Sequence, residues 1–275
     1  MIENIAKNLV QLKQEFRRVY SGDSHIQEVI PLSESDQFPI SQNNLDSLHM
    51  FERKNPIYYN SYEQKINDIE CMVYEGDINK YWLNSITHGS SHQPFSPTWL
   101  LSAYVITMIA RDLNYKEILD IGSGDGRIAY CAKILGLDSY GIEIDDMLVD
   151  LQKSICDLTE TNFKPISADA VKFDYISLNL SKPAFFIGGL AQMGGDVLAT
   201  SIIENLNSEL RQKTCMVFAG SYSEKYSFGN TSEGGWGSLI DKYNLKIRKS
   251  LFLPTVWSFN QTVDTSYIFT DFEQS

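Results

Sequence analysis

The chain has 275 residues, and 23 Lys and Arg against 35 Asp and Glu give it a formal net charge of −12. Its hydrophobic fraction of 43% is close to that of soluble globular domains, which excludes a wholly disordered or collagen-like chain. The acidic balance disfavours general binding to nucleic acid, because that binding depends on clustered Lys and Arg. No stretch approaches the roughly 18 consecutive apolar residues that predict a membrane-spanning helix, so we expect no membrane partner.

The four cysteines form no CxxC pair and have no spacing typical of a zinc site. We therefore expect free thiols, no disulfide and no metal site. The opening segment MIENIAKNLVQLKQEF carries charges in every turn, unlike a secretory signal. These features together predict a cytoplasmic protein.

Residues 1–92 are predicted to form a helical N-terminal extension. Apolar residues at steps of three and four from Ile2 to Tyr20 predict a first helix, and Gly22 helps to end it. A polar stretch over 33–47 is expected to be a loop. A second helical face is predicted from Tyr62, Ile66, Ile69 and Val73, and a short helix from Ile78, Tyr81 and Trp82.

Residues 93–275 alternate between strand and helix patterns, which predicts a doubly wound α/β domain with a mostly parallel sheet. A first helix begins at Ser96-Pro97. The elements predicted after it are strand 115–122, helix 126–136, strand 139–145, helix 146–160, strands 163–169 and 184–190, helix 196–210, strand 214–222, helix 234–244, and strands 245–254 and 265–272. The last two strands have no helix between them, which predicts an antiparallel strand near one edge.

The strongest functional signal is the sequence Glu117-Ile-Leu-Asp-Ile-Gly-Ser-Gly-Asp-Gly-Arg127, which ends the first strand and begins a helix. Its glycines let the backbone approach a ligand where a Cβ would collide. A dinucleotide site requires the spacing GxGxxG, whereas here the third glycine comes one residue early. The spacing therefore disfavours a nicotinamide enzyme and favours a ligand without a pyrophosphate.

Two more acidic residues follow the next predicted strands. Glu143 ends the second strand, where a carboxylate can accept hydrogen bonds from the hydroxyls of a ribose. Asp169 ends the third strand and can accept from the exocyclic amine of an adenine. Ile144 and Ala170, which follow these two acids, can enclose the ring.

The motif LDIGSGDGRIAYCAKILGLDSYGIEID resembles the cofactor-binding half of class I S-adenosylmethionine-dependent methyltransferases, and the resemblance covers about residues 93–273. It implies a seven-stranded sheet of order 3-2-1-4-5-7-6 with strand 7 antiparallel, and the cofactor S-adenosylmethionine, with S-adenosylhomocysteine as product. The cofactor-binding residues that it implies are Pro97, Thr98, Asp120, Gly122, Ser123, Gly124, Gly126, Glu143, Ile144, Asp169 and Ala170.

The acceptor is not identified by the sequence. After the fourth strand, family members that methylate planar amines often carry Asn/Asp-Pro-Pro-aromatic, whereas this chain has Gly188-Gly-Leu-Ala-Gln-Met-Gly-Gly195. Gln192 is the polar side chain of that loop, and it and His92 are the candidate catalytic residues. Tyr222, Trp257 and the loop 221–237 are candidates to line or cover the acceptor site.

Three functions remain open at this point. The first is a methyltransferase whose acceptor is a small molecule or a protein side chain rather than nucleic acid. The second is a catalytically silent, nucleoside-binding module, which the missing acceptor motif favours. The third is an aminopropyltransferase relative, although no second pair of carboxylates follows the fourth strand. The sequence does not indicate an oligomeric state.

Overall fold

The computed structural model describes residues 2–85, 94–220, 222, 235–255 and 264–273. The N-terminal part consists of α1 (Ile2–Val19), β1 (Ile26–Pro31), α2 (Gln42–Lys54), β2 (Tyr58–Ile66), β3 (Ile69–Gly76) and α3 (Asn79–Ser85). The first helix forms as predicted, with its apolar stripe buried from Ile2 to Phe16, whereas Val19 is exposed. The three strands form an antiparallel sheet in the order β1-β3-β2.

This small sheet corrects the prediction of a wholly helical N-terminal extension. The expected second helix is instead a β-hairpin, with Ile66 paired to Ile69. Asn67 and Asp68 between them have φ values of 44° and 63°, as a two-residue hairpin turn with both central residues left-handed requires. A turn-forming pair between runs of Tyr, Ile and Val signals a hairpin, and here it outweighs the three- and four-residue spacing.

The remaining elements alternate between helix and strand, as predicted. They are α4 (Leu100–Asp112), β4 (Glu117–Ile121), α5 (Arg127–Ile134), β5 (Asp138–Glu143), α6 (Asp146–Thr159), β6 (Lys164–Ser167), β7 (Pro183–Ile187), α7 (Gly195–Asn205), α8 (Ser208–Lys213), β8 (Cys215–Ala219), α9 (Gly237–Lys242), β9 (Leu245–Pro254) and β10 (Asp264–Phe272). The single helix expected over 196–210 is divided between α7 and α8. Two short 3₁₀ turns lie at Tyr175–Leu178 and Ala191–Met193.

These strands form a seven-stranded sheet in the order β6-β5-β4-β7-β8-β10-β9. Numbered from β4, the order is 3-2-1-4-5-7-6, and β10 runs antiparallel to both of its neighbours. The predicted doubly wound α/β class is therefore confirmed. The order reverses between β4 and β7, which places a crevice at the C-terminal end of β4.

The sheet is covered on both faces by apolar side chains. On one face, Ile118 of β4 belongs to a cluster that also contains Leu9 of α1 and Leu45 of α2. On the other face, Leu119 packs in a second cluster with Trp236 and neighbouring helices. Residues 2–85 thus share a core with the large sheet. The predicted domain boundary at 92 and 93 lies outside the described residues.

The sequence analysis also made predictions about thiols, membrane-spanning helices and metal sites. Its four cysteines, Cys71, Cys131, Cys156 and Cys215, are free thiols, and all but Cys156 are fully buried. Within the described ranges, no helix has both the length and the apolarity to cross a membrane. Those ranges also contain no cluster of three or more His, Cys, Asp or Glu that could hold a metal ion.

Candidate functional site

A cavity of about 240 Å³ opens at the C-terminal ends of β4, β5 and β7, where the strand order reverses. This is the position at which open α/β sheets bind ligands. Ten of the eleven predicted cofactor-binding residues line it: Pro97, Thr98, Asp120, Gly122, Ser123, Gly124, Glu143, Ile144, Asp169 and Ala170. The fold therefore brings together side chains from segments far apart in the sequence.

The three glycines of the loop after β4 all have left-handed backbone conformations, but their surroundings differ. A Cβ on Gly122 would have only the Gly188 Cα nearby, at 3.8 Å, so this glycine leaves open space in the cavity. A Cβ on Gly124 would lie 2.6 Å from Cε2 of Phe95, whose ring packs against the loop. The absence of a side chain at Gly122 therefore leaves cavity space, whereas its absence at Gly124 makes room for the Phe95 ring.

Gly126 does not line the cavity, although the family resemblance implied a role in cofactor binding. A Cβ there would lie 2.8 Å from Cζ of Phe163 and 2.9 Å from Cγ of Gln152. Gly126 is also the residue that precedes α5, with φ of 80°. Close packing and the left-handed turn into α5 thus explain why position 126 is a glycine.

Asp120 lies in the floor of the cavity and is only 3% exposed. Its Oδ2 atom is buried and has no hydrogen-bond partner in the protein. Burial, together with the nearby charges of Asp125 and Glu143, raises the pKa of this carboxyl well above its usual value. An unsatisfied buried carboxyl oxygen is costly, so its position at a cavity favours a ligand that brings an N–H or ammonium group.

Glu143 ends β5, and its carboxylate faces the same cavity. Oε2 accepts the N–H of Gly124 at 2.9 Å, while Oε1 accepts the N–H groups of Ile144 at 2.9 Å and Asp145 at 3.1 Å. Burial raises the pKa of Glu143, and these amide bonds oppose that shift. A carboxylate accepts about four hydrogen bonds, so one position remains for a ligand hydroxyl.

Asp169 lies at the outer side of the cavity and is more exposed than the other two acids. It accepts the N–H of Val171 at 3.0 Å and forms an ion pair with Lys172 at 2.9 Å. The hydrogen bond from Lys172 lowers the pKa of Asp169. Ile144, which is 44% exposed, and Ala170 line the same end of the cavity and offer apolar surface to a flat ring.

The structure does not bring the candidate catalytic residue Gln192 into the cavity. Residues 191–193 form one turn of 3₁₀ helix, in which successive side chains point about 120° apart. Met193 lines the cavity, whereas the side chain of Gln192 is solvent-exposed. The other candidate, His92, lies outside the described residues, as do Trp257 and most of the loop 221–237. Tyr222 is 42% exposed and donates to Asp241 at 2.9 Å.

A buried ionic cluster beneath the glycine loop was missed by the sequence analysis. Arg127, which follows the loop, donates to Asp125 at 2.6 Å, to Glu28 of β1 at 2.6 Å and to the carbonyl of Thr98 at 2.6 Å. It also donates to the Tyr58 hydroxyl of β2 at 3.3 Å. Its Nε–H bonds Asp125 as well, so every N–H of the guanidinium has an acceptor.

Further ionisable groups of the N-terminal part surround this cluster. Glu52 of α2 is fully buried, and burial together with the charges of Glu28 and Asp125 raises its pKa well above the usual value. Lys13 of α1 is also buried, and burial lowers its pKa to about 8. The only sequence signal for the cluster was the Arg that stands directly after the third glycine.

The fold can be assigned from the strand order, the antiparallel strand next to the sheet edge, and the glycine loop after the first parallel strand. The chain has the class I methyltransferase fold. No family model matches the sequence, and no curated protein matches it.

Three solved structures illustrate the likeness of the fold. Magnesium protoporphyrin IX methyltransferase from Synechocystis PCC 6803, solved with bound S-adenosylmethionine, has 8% identity and a TM-score of 0.46, over 63% of this chain and 78% of that one. A methyltransferase from Clostridium acetobutylicum ATCC 824 has 7% identity and a TM-score of 0.42, over 62% and 91%. The tRNA (uracil-54, C5)-methyltransferase of Pyrococcus abyssi has 10% identity and a TM-score of 0.45, over 77% and 44%. At such low similarity, we assign the fold from this chain's own strand order.

Proposed function

We propose that this protein is an S-adenosylmethionine-dependent methyltransferase whose cofactor lies across the C-terminal ends of β4 and β5. The observation that carries the proposal is the combination of the orphan Oδ2 of Asp120, the open space at Gly122 and the inward carboxylate of Glu143 in one cavity. Asp120 would receive the cofactor's amino-acid end, Glu143 its ribose and Asp169 its adenine amine.

The bound cofactor would supply an electrophilic methyl group on a sulfonium. The protein's part is then to align that methyl group with the acceptor and to exclude water, and such positioning contributes about 7–11 kcal/mol in well-oriented reactions. Five carboxyl residues, Asp120, Asp125, Glu143, Asp145 and Asp169, line the cavity, and an acidic lining favours a positively charged ligand. Among the described lining residues Arg127 is the only arginine, and each of its guanidinium N–H groups has an acceptor in the protein.

The acceptor end of the cavity is lined by uncharged residues from β7 onward. Its described lining residues include Met193, Leu198, Val217 and Ala219, and among them Tyr267 alone is ionisable. Burial raises the pKa of Tyr267 to about 12, so its hydroxyl stays protonated at neutral pH. This end favours an acceptor that is uncharged and already nucleophilic, such as a small molecule or a protein side chain.

The direct test of turnover is incubation of the protein with methyl-labelled S-adenosylmethionine and size-fractionated cell lysate. We expect label to enter one fraction, whose mass and sensitivity to protease or nuclease identify the acceptor class. Binding of S-adenosylhomocysteine without label transfer to any fraction would instead favour the catalytically silent module. The absence of both binding and transfer would contradict the proposal.

Two glycines offer a matched pair of substitutions for locating the ligand. Gly122 and Gly136 have φ values of 68° and 81°, and neither would give a Cβ a close contact. Gly122→Ala and Gly136→Ala should therefore destabilise the fold similarly, by about 1–2 kcal/mol for a left-handed Ala. Only the Gly122 variant places a methyl group in the cavity, so we expect it alone to weaken S-adenosylhomocysteine binding at least tenfold by calorimetry. Equal affinities for the two variants would place the ligand elsewhere.

A further inference from the structure

One wall of the cavity is a segment without regular secondary structure, residues 94–99, which we call the wall segment. Phe95, Pro97 and Thr98 of this segment face the cavity. The Phe95 ring packs directly on the glycine loop, since a Cβ on Gly124 would come within 2.6 Å of it. The shape of the cavity therefore depends on where this segment is held.

The wall segment is held at its C-terminal end by Glu28 of the small N-terminal sheet. Oε2 of Glu28 accepts the N–H of Leu100 at 3.0 Å, directly after the segment. Oε1 of Glu28 accepts a hydrogen bond from Nη1 of Arg127 at 2.6 Å. The same nitrogen also donates to the backbone carbonyl of Thr98 at 2.6 Å. A single buried carboxylate thus bonds Leu100, the residue that follows the segment, and also Arg127 in the first turn of α5, which in turn bonds Thr98 within the segment.

Two other N-terminal elements also contact the wall segment. The ammonium of Lys13 in α1 lies 5.3 Å from the centre of the Trp99 ring. Tyr81 of α3 packs edge-on against Phe95, with ring centres 6.1 Å apart. Those two contacts involve side chains of the segment. Glu28 instead accepts a hydrogen bond from the backbone N–H of Leu100, the first residue of α4.

We propose that Glu28 is a positioning residue for the cofactor site: it holds the wall segment so that Phe95 and Thr98 close the cavity beside the glycine loop. The N-terminal part is then a working component of the site rather than an appended domain. This inference rests on the proposed function for the identity of the ligand. The placement of the segment by Glu28 can be measured without any ligand.

The first experiment compares amide hydrogen exchange in the ligand-free full chain. Glu28→Gln keeps the size of the side chain but removes the charge that bonds Leu100 and Arg127. Tyr20→Phe is the control, since it removes a hydroxyl that donates to Glu75 of β3 at 2.8 Å and also bonds Ser24, away from the wall segment. We expect exchange at residues 95, 96 and 98–100 to be about tenfold faster in Glu28→Gln than in the control, the effect of one lost charged hydrogen bond.

The second experiment measures S-adenosylhomocysteine affinity in a double-mutant cycle with Phe95→Ala. We expect Glu28→Gln to weaken binding about tenfold, as one charge-assisted hydrogen bond would. In the Phe95→Ala background we expect the same change to weaken binding less than twofold. A merely structural role for Glu28 would give the same loss in both backgrounds.

The outcomes separate this inference from the proposed function. If the wild-type protein binds S-adenosylhomocysteine but Glu28→Gln binds equally well, or if the two losses multiply independently, the positioning role is overturned and the proposed function stands. If the wild-type protein does not bind, the proposed function fails. The exchange rates then decide alone, and unchanged exchange in Glu28→Gln would overturn the placement of the wall segment.

Discussion

Replacing Arg127 with Met is expected to lower the free energy of unfolding by about 3–5 kcal/mol, a large part of the 5–15 kcal/mol typical of a folded protein. The side chain is 2% exposed and bonds two buried carboxylates, Glu28 and Asp125. Removing the guanidinium leaves both carboxylates in the interior without their ion-pair partner, so that Glu28 keeps the N–H of Leu100 and Asp125 the side-chain amide of Asn55. The loss follows from their uncompensated burial rather than from the strength of the ion pairs themselves.

Chemical denaturation, monitored by far-ultraviolet circular dichroism, measures this effect. Lys133→Met is the matched control, because Lys133 lies in the same helix and pairs with Asp138 at 3.2 Å in a solvent-exposed position. We expect that control to change stability by less than about 1 kcal/mol. Should Arg127→Met fail to fold, Arg127→Lys, which keeps the charge but has fewer donors, provides an intermediate value. Similar losses for Arg127→Met and Lys133→Met would contradict the described cluster.

Glu143→Gln is expected to weaken S-adenosylhomocysteine binding at least tenfold. Loss of a hydrogen bond to a charged group costs about 1.5–3 kcal/mol, which corresponds to roughly ten- to hundredfold in affinity. The amide also introduces an N–H₂ group among the three backbone N–H donors of Gly124, Ile144 and Asp145. The variant therefore loses both a ligand contact and part of the support of the glycine loop.

A comparison of two ligands separates these contributions. For a 2′-deoxy analogue of S-adenosylhomocysteine, the loss of affinity caused by Glu143→Gln should be smaller, because the analogue lacks the ribose hydroxyl that would donate to Glu143. Asp146→Asn is the control for charge, since Asp146 is exposed, does not line the cavity and bonds Ser167. An equal loss for both ligands would refute the assignment of Glu143 to the ribose.

The large sheet and most of the residues that line the cavity could be predicted because their signals are local. The strand, glycine loop and helix around Gly122 occupy one short stretch, and Glu143 follows at the end of the next strand. In a parallel sheet such strand ends meet at one edge, so the sequence spacing determined the spatial neighbourhood. These parts of the prediction needed no knowledge of contacts between distant segments.

The parts that were missed depend on distant partners. Arg127 and Glu28 are 99 residues apart, and nothing near either residue indicates that they are buried together. Gly126 is required by its contacts with Phe163 and Gln152, which the motif cannot show. The hairpin at Asn67 and Asp68 was wrongly predicted as a helix because apolar spacing was weighted above turn chemistry.

The catalytic candidates illustrate a different limit. Gln192 was selected as the polar side chain of a glycine-rich loop, and the direction of a side chain in such a loop cannot be determined from composition. One turn of 3₁₀ helix places Met193, not Gln192, in the cavity wall. Residue type identified a loop that borders the cavity, but the backbone determined which of its residues faces the cavity.

The most direct test of the central claim is a calorimetric titration of the wild-type protein with S-adenosylhomocysteine. Binding of one ligand per chain, lost or weakened at least tenfold in Gly122→Ala and Glu143→Gln but retained in Gly136→Ala, is the result that a nucleoside across β4 and β5 predicts. No heat of binding at millimolar ligand, or binding that is insensitive to both cavity variants, would contradict it.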